Sequence, residues 1–370
     1  MKILAAILIL TAILLCWHLG RPAFPSFDEG VYPFAGIALS QGNNTEISHP
    51  PLGKMLMWES IRFHGDNFVS YRIPSVVAGL LLVLAIWTWT FQLTGNRIEA
   101  HLAAGLSVCN CLLFTLSRTG TLDAMSTALL FWAIVSLTAV LKSPRAWYSV
   151  ALGFTFGLTM GVKWIAVIPI AVAGCVLVYR RQIRDALIAA GTCLLTYAVI
   201  FMELANWTKE HFSMIWLWNQ QKQIIFGHVG HIGPNYEVSH WWQWPLSTNP
   251  QTFVFGKTIA VILLGNPIIM WGGLIALVWI AYNLWREGTF DRWAILAAYL
   301  VLYGQYAVMP LKTEFYHYYF APAMVLGPAL VIALRGKKWA WIVYGLAAWS
   351  FFLAYPAMTA MAGGRWLSWL

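Results

Sequence analysis

The sequence predicts an all-α integral membrane protein, a bundle of about eleven transmembrane helices with two long outer loops. Three observations predict it. The chain has 370 residues, 60% of them hydrophobic and 10% charged, where a soluble domain carries about 25% charged residues. A soluble core of this length has no room for so much apolar side chain, so lipid must solvate most of it. Apolar runs near the roughly 20 residues needed to cross hydrocarbon recur along the chain. The 22 Trp and 15 Tyr suit a protein with two membrane–water interfaces, where amphipathic rings collect. The net charge of +9 does not indicate nucleic acid, because the basic residues stand singly between apolar runs and form no stripe.

The first run, 2–19, follows Lys2 and is built like a signal peptide. The stretch from Trp17 to Pro22 lacks a small-x-small cleavage site, so it reads as an uncleaved first helix. Further runs lie at about 74–93, 99–117, 121–141, 146–161, 163–179, 186–204, 257–284, 293–309, 316–334 and 338–356. The fifth and sixth are short and close-set. There is no internal repeat and no separate soluble domain, so residues 1–370 read as a single polytopic unit. Cys16, Cys109, Cys111, Cys175 and Cys193 all fall in apolar runs. An odd count in such runs argues for small buried hydrophobes, not a disulfide framework or a zinc site.

Orientation follows the distribution of Lys and Arg. One set of loops holds Lys2, Arg97, Lys142, Arg145, Arg180, Arg181, Arg184, Arg286, Arg292, Arg335, Lys337 and Lys338 with few acids. In the opposite set, acids such as Asp28, Glu46, Asp66, Glu210, Glu237 and Glu314 largely balance the bases. This places the N-terminus in the cytoplasm and, with an odd number of spans, the C-terminus outside. The two long outer loops, about 20–73 and 205–256, are where function is expected. Each contains an amphipathic segment suited to the interface plane, at 52–63 and 209–226. In the first, Leu52, Met55, Leu56 and Ile61 fall near one face, with Lys54, Glu59 and Arg62 off it.

Candidate chemical groups cluster on this outer side. Asp28 and Glu29 directly follow the first span, among aromatics. Partial burial and a like-charged neighbour raise a carboxylate toward working pH and suit it to act as a base; a solvated juxtamembrane pair is the competing reading. His49-Pro50-Pro51-Leu52-Gly53-Lys54 brings His49 and Lys54 near the same interface. Arg72, Arg118, Asp123 and Lys163 stand at outer helix ends. There an ionisable group either faces the bundle with a partner or snorkels to the headgroups. The second loop offers His228, His231 and His240 in an aromatic setting with Trp241 and Trp244. Their spacing matches no strong zinc pattern, so a lid over substrate and an interfacial aromatic belt are the main readings. Lys312, Glu314 and His317 with Tyr316, Tyr318 and Tyr319 mark the start of the tenth span.

Taken in order, these segments resemble the protein O-mannosyltransferase family, glycosyltransferase family 39 of the membrane-embedded GT-C class. The resemblance rests on Phe27-Asp28-Glu29, His49-Pro50-Pro51-Leu52-Gly53-Lys54, Tyr71-Arg72-Ile73-Pro74-Ser75 and Arg118 with Leu122-Asp123. It continues through Gly157-Leu158-Thr159-Met160-Gly161-Val162-Lys163-Trp164, Ser239-His240-Trp241-Trp242-Gln243-Trp244-Pro245-Leu246, Leu264-Gly265-Asn266-Pro267 and Tyr316-His317-Tyr318-Tyr319. It covers nearly the whole chain.

The resemblance implies a GT-C bundle that is one catalytic domain. It implies inverting transfer of mannose from a polyprenyl-phosphate carrier to a protein Ser or Thr on the outer face. Asp28 matches the family's catalytic acid and is expected to act as base, with Glu29 helping to orient the acceptor. Arg72 matches a family arginine important for activity. Arg72, Lys163, Lys54 and Arg118 are the cations available for the carrier phosphate. His49, Asp123, His240, Trp241, Trp244, Glu314 and His317 are expected to line the substrate pocket. No cofactor is assigned, and a divalent cation stays open. Eukaryotic members carry a folded domain in the second outer loop. Here that loop has only about 50 residues, which points to a prokaryotic plasma membrane and a bacterial polyprenol; the endoplasmic reticulum is the eukaryotic counterpart. A transferase with another sugar or a lipid acceptor, like the aminoarabinose transferases, is the nearest alternative. A lipid-linked-sugar transporter fits less well, because there is no repeat.

Overall fold

The computed structural model describes residues 2–229, 239–255, 259–309 and 314–361, the side chains of 228, 229 and 255 aside. The expectations for His231, Glu237 and Lys312, and for the side chain of His228, lie outside it.

The chain begins with α1 (Lys2–Cys16), a 3₁₀ turn (Phe27–Gly30), α2 (Tyr32–Ser40) and α3 (Leu52–His64). Then come α4 (Phe68–Thr94), α5 (Arg97–Cys109), α6 (Cys111–Leu116), α7 (Leu122–Lys142), α8 (Ala146–Val162), α9 (Val167–Tyr179) and α10 (Ile183–Thr208). The second long loop contains α11 (Met214–Val229) and leads into an antiparallel hairpin, β1 (Gln251–Phe255) with β2 (Ala260–Leu263). The chain continues through α12 (Pro267–Arg286), α13 (Phe290–Val308), α14 (Phe320–Ala333) and α15 (Ala340–Met358).

All eleven apolar runs contain helix. Among the described residues, six helical segments are long and apolar enough to cross a bilayer: α4, α7, α10, α12, α15 and the stretch Tyr316–Ala333. The helices α1, α8 and α9 are shorter apolar ones. Two runs differ from expectation. The run at 99–117 is broken at Asn110, whose extended backbone starts α6 and whose side chain accepts from Leu112 N. The run at 257–284 is not one helix: 260–263 is strand, and α12 starts at Pro267. Asn266 enforces that start, because its Oδ1 accepts from Ile268 N and Ile269 N while its Nδ2 donates to the carbonyls of Cys109 and Ala347. It thereby satisfies a helix N-terminus inside an apolar core.

The helices sort into an inner and an outer set. Residues 320–332 of α14 are all buried. On α10, α12 and α15 large apolar side chains point outward, among them Leu187, Leu194, Ile275, Val278, Ile342 and Phe352. Such a continuous apolar exterior marks the lipid-facing surface. Cys16 and Cys175 also lie on the exterior, so only part of the cysteine set is buried as expected; all five are free thiols.

The packing of α8 against α10 depends on Gly153, Gly157 and Gly161. A Cβ on Gly153 would stand 2.2 Å from the carbonyl oxygen of Ala189, and one on Gly157 2.6 Å from Cβ of Thr196. Spaced by four, these glycines let the two backbones touch. The close approach fixes the end of α8, where Lys163 follows.

In α3 the amphipathic expectation needs correction. Leu56 is exposed and Lys54 is buried, because the Lys54 ammonium has fixed partners inside.

Candidate active site

The site forms where the first long loop meets the N-terminal ends of α7 and α14 and the C-terminal end of α8. Asp28 sits on the 3₁₀ turn that follows α1. Phe27 adopts a left-handed φ of 51°, unusual for a bulky residue and characteristic of functional turns. Its ring stacks on Phe253 of β1 at 4.5 Å and meets the His317 ring edge-on at 5.2 Å. The turn sends Asp28 and Glu29 opposite ways.

Glu29 goes inward and is fully buried. Its carboxylate accepts from Arg72 Nε at 2.7 Å and Nη2 at 2.8 Å. It also accepts from the Ser26 hydroxyl and amide and from the Gly120 amide. The remaining donors of Arg72 reach the carbonyls of Leu19 and Pro22. A bidentate pair with every oxygen engaged is the geometry in which a buried ion pair holds. It clamps the loop onto α4 and the turn before α7. Gly120 is part of the clamp, since a Cβ there would stand 2.8 Å from the Tyr71 carbonyl oxygen.

Asp28 lies near Lys163, Asp123 and Tyr32 and is half-buried. Burial first, then the negative charge of Asp123, push its carboxyl from 3.8 up to about 7; Lys163 and a hydrogen bond from Tyr32 oppose the rise. Lys163 Nζ donates to Asp123 Oδ1 at 2.8 Å and lies 4.9 Å over the Tyr318 ring. Among the described residues that is its one hydrogen bond, so further ammonium hydrogens remain for substrate. Asp123 Oδ2 is buried without a hydrogen-bond partner among them, a desolvated acceptor whose isolation costs about 1–3 kcal/mol or more. His317 Nδ1 and its backbone amide both face Gln251 Oε1, at 3.0 and 3.3 Å. His49 stacks edge-on against Tyr32 at 5.5 Å.

His49 belongs to a second buried cluster. Lys54 Nζ donates to the Glu46 carboxylate at 2.9 Å and to the carbonyls of Glu46 and His49. The Ser48 hydroxyl and His49 Nδ1 also approach Glu46 Oε1. Burial alone would raise Glu46, but the hydrogen bond from His49 and the Lys54 charge outweigh it and hold the carboxyl below the usual range. Burial lowers Lys54, with Glu46 partly compensating.

The structure therefore gathers Asp28, His49, Asp123, Lys163 and His317. Of the four cations expected at a carrier phosphate, Lys163 alone is placed beside Asp28; the others have occupied donors. Arg72 holds Glu29, Lys54 holds the 46–49 turn, and Arg118 binds the carbonyls of Leu14, Leu15 and His18 at the end of α1. Glu29 faces Arg72 and not the pocket. The residues Trp241, Trp244 and Glu314 form a neighbouring aromatic wall. There the Trp241 amide donates to Glu314 Oε2 at 2.9 Å, and Trp244 packs on Tyr306, Tyr318 and Tyr319. His240 is exposed and stacks on Trp242. Among the described residues no group of three His, Cys, Asp or Glu is placed to hold a metal ion.

Sequence reasoning missed Tyr32, Glu46 and the hairpin that braces Phe27 and His317. The hairpin had a signal: two β-branched and aromatic runs, 252–255 and 259–263, separated by Gly256-Lys257-Thr258.

Residues 48–207 match the family model described as dolichyl-phosphate-mannose-protein mannosyltransferase. A polyprenol-phosphate-mannose–protein mannosyltransferase of Mycobacterium tuberculosis is 21% identical over 399 residues, covering 83% of this chain and 75% of that protein. Its counterpart in Corynebacterium glutamicum is 19% identical over 409 residues, covering 87% and 76%. Among solved structures, the S. cerevisiae protein O-mannosyltransferase Pmt1–Pmt2 complex bound to the sugar donor superposes with a TM-score of 0.84, 12% identity, and 97% and 90% coverage. ArnT from Cupriavidus metallidurans bound to undecaprenyl phosphate gives 0.68 at 11% identity, covering 92% of this chain and 61% of that one. These likenesses establish the fold. The family match over residues 48–207 and the relatives aligned along most of the sequence add a similarity to protein mannosyltransferases that use polyprenol-phosphate mannose.

Proposed function

We propose that this chain transfers mannose from a polyprenyl-phosphate carrier to Ser or Thr hydroxyls of proteins, with inversion, at the outer face of the membrane. The observation that carries the reading is Asp28, a carboxyl raised to about 7 and set beside Lys163 and Asp123. A hydroxyl becomes a competent nucleophile when a positioned base takes its proton. Asp28 takes that proton as the hydroxyl oxygen bonds to the anomeric carbon. The bond from that carbon to the phosphate oxygen breaks, and its electron pair leaves on the polyprenyl phosphate. This leaving group needs positive charge where its negative charge develops, and Lys163 supplies it. Asp123 orients Lys163 through Oδ1 and offers Oδ2 to a sugar hydroxyl. Glu29 and Arg72 are positioning residues that fix the turn bearing Asp28.

The whole chain serves as one catalytic domain, with the N-terminus in the cytoplasm of a prokaryotic cell. The carrier headgroup approaches from lipid and the acceptor from water. The names of the mycobacterial and corynebacterial relatives support this donor and acceptor. A lipid acceptor is the second reading. The test incubates purified protein with labelled polyprenyl-phosphate mannose and either a Ser/Thr peptide or a lipid acceptor. Labelled peptide with the anomeric configuration opposite to the donor is expected. Label on lipid alone, or retained configuration, overturns the proposal.

A further inference from the structure

A second polar cavity, of about 590 Å³, lies between the two outer loops. Gln41, Asn43 and Asn44 line one side, and Gln220 and Gln223 of α11 line the other. Residues 220 and 223 share a helix face, so both amides point into the cleft. The side-chain amides of Gln41, Asn43, Gln220 and Gln223 make no hydrogen bond among the described residues, and Asn44 Oδ1 is likewise without a partner. Among the described residues no Lys, Arg or His lines the cleft, and the one charged group there is Glu210, which accepts from the Trp216 indole. An anionic phosphate ligand is thus disfavoured.

From this chemistry we infer that the cleft binds the extended polypeptide flanking the acceptor Ser or Thr, and that it prefers neutral or basic flanks to acidic ones. The inference rests on the transferase reading above. An Asn or Gln amide presents a donor and an acceptor side by side, matching the N–H and C=O of a peptide unit. Five such groups facing one cleft can bind backbone without regard to side-chain identity, as an enzyme with many protein targets requires. The cleft also adjoins the catalytic pocket. Thr45 and Ile47 line it, while Glu46 between them turns the other way to hold Lys54 and His49. One thickness of chain separates the flank from the pocket that receives the hydroxyl.

The test uses full-length protein in nanodiscs and Ser/Thr peptides of three and twelve residues, the longer ones with neutral, lysine-bearing or aspartate-bearing flanks. The double variant Gln220→Ala, Gln223→Ala should raise KM for the neutral twelve-residue peptide about tenfold while kcat holds. Glu210→Lys should reverse the charge preference toward aspartate flanks, a gain that a misfolded protein does not produce. Unchanged KM together with an unchanged flank preference overturns the inference. If wild-type protein labels no peptide, protein mannosylation is the reading that fails. Anisotropy of the labelled twelve-residue peptide without donor then decides the cleft, with about tenfold weaker binding by the double variant expected and equal binding overturning it.

Discussion

At the scale of single residues the pocket is governed by what surrounds Asp28. A base works when ionised, so kcat/KM should rise with pH through about 7. Asp123→Asn removes a neighbouring negative charge and leaves Lys163 unneutralised; both changes favour the ionised Asp28, so the rise should move to lower pH in a pH–rate profile. Asp28→Asn should reduce kcat by about 10²–10⁴-fold, the usual contribution of a general base. The same change should raise the unfolding temperature at pH 8. Because the folded-state pKa lies above the ordinary 3.8, ionised Asp28 destabilises the fold above about pH 7. That penalty vanishes as the pH falls below about 4, so the stabilisation by Asn should fade in acid. Thermal scans at pH 4 and pH 8 check the sign. The acidic pair was legible from its place after the first span, whereas the different surroundings of Asp28 and Glu29 were not. Adjacent acids look alike in a sequence, and only the turn at Phe27 sends one into a salt bridge and the other into a pocket.

Between elements, two contacts position the chemistry. The Glu29–Arg72 clamp ties the first loop to α4. Removing one partner of a buried pair leaves the other charge uncompensated, at about 3–5 kcal/mol. Arg72→Ala should therefore lower the unfolding temperature along with activity, and Arg72→Lys should restore little, since one ammonium does not replace a bidentate guanidinium. The α8–α10 contact is the other. Gly157→Val would force the helices apart at the Cys193 carbonyl and Thr196, with overpacking of about 1–3 kcal/mol. Because α8 ends at Val162, just before Lys163, the variant should weaken carrier binding more than peptide binding, measured by titrating each ligand. The motif from Gly157 to Lys163 was visible in the sequence, but its glycines were not recognised as a packing surface, because what they touch is 30 to 40 positions away.

For the molecule as a whole, the distribution of basic residues predicts which side faces the cytoplasm. In a variant lacking the five native cysteines, Thr248→Cys should react with a membrane-impermeant maleimide in intact cells, and Lys338→Cys only after permeabilisation. The reverse pattern would put the catalytic pocket on the cytoplasmic side and overturn the proposed topology. Each of the eleven apolar runs contains helix, whereas α2 lies outside both the runs and the expected amphipathic segments. The runs did not capture the break at Asn110 or the hairpin before α12, because hydropathy measures solvent preference and both a strand and a broken helix can be apolar.

What the sequence determined by itself was the solvent, the order of the apolar segments and the side on which ionisable groups collect. Each is a local property, set by side-chain transfer energies and by charge beside each run. Which of those groups remain free for chemistry was decided by the tertiary structure. Arg72 meets Glu29 across 43 positions, Lys163 meets Asp123 across 40, and His317 meets Gln251 across 66. Burial makes such pairings decisive, because a charge removed from water must find a partner. Three of the four expected phosphate-binding cations found theirs in the framework, leaving Lys163 beside Asp28.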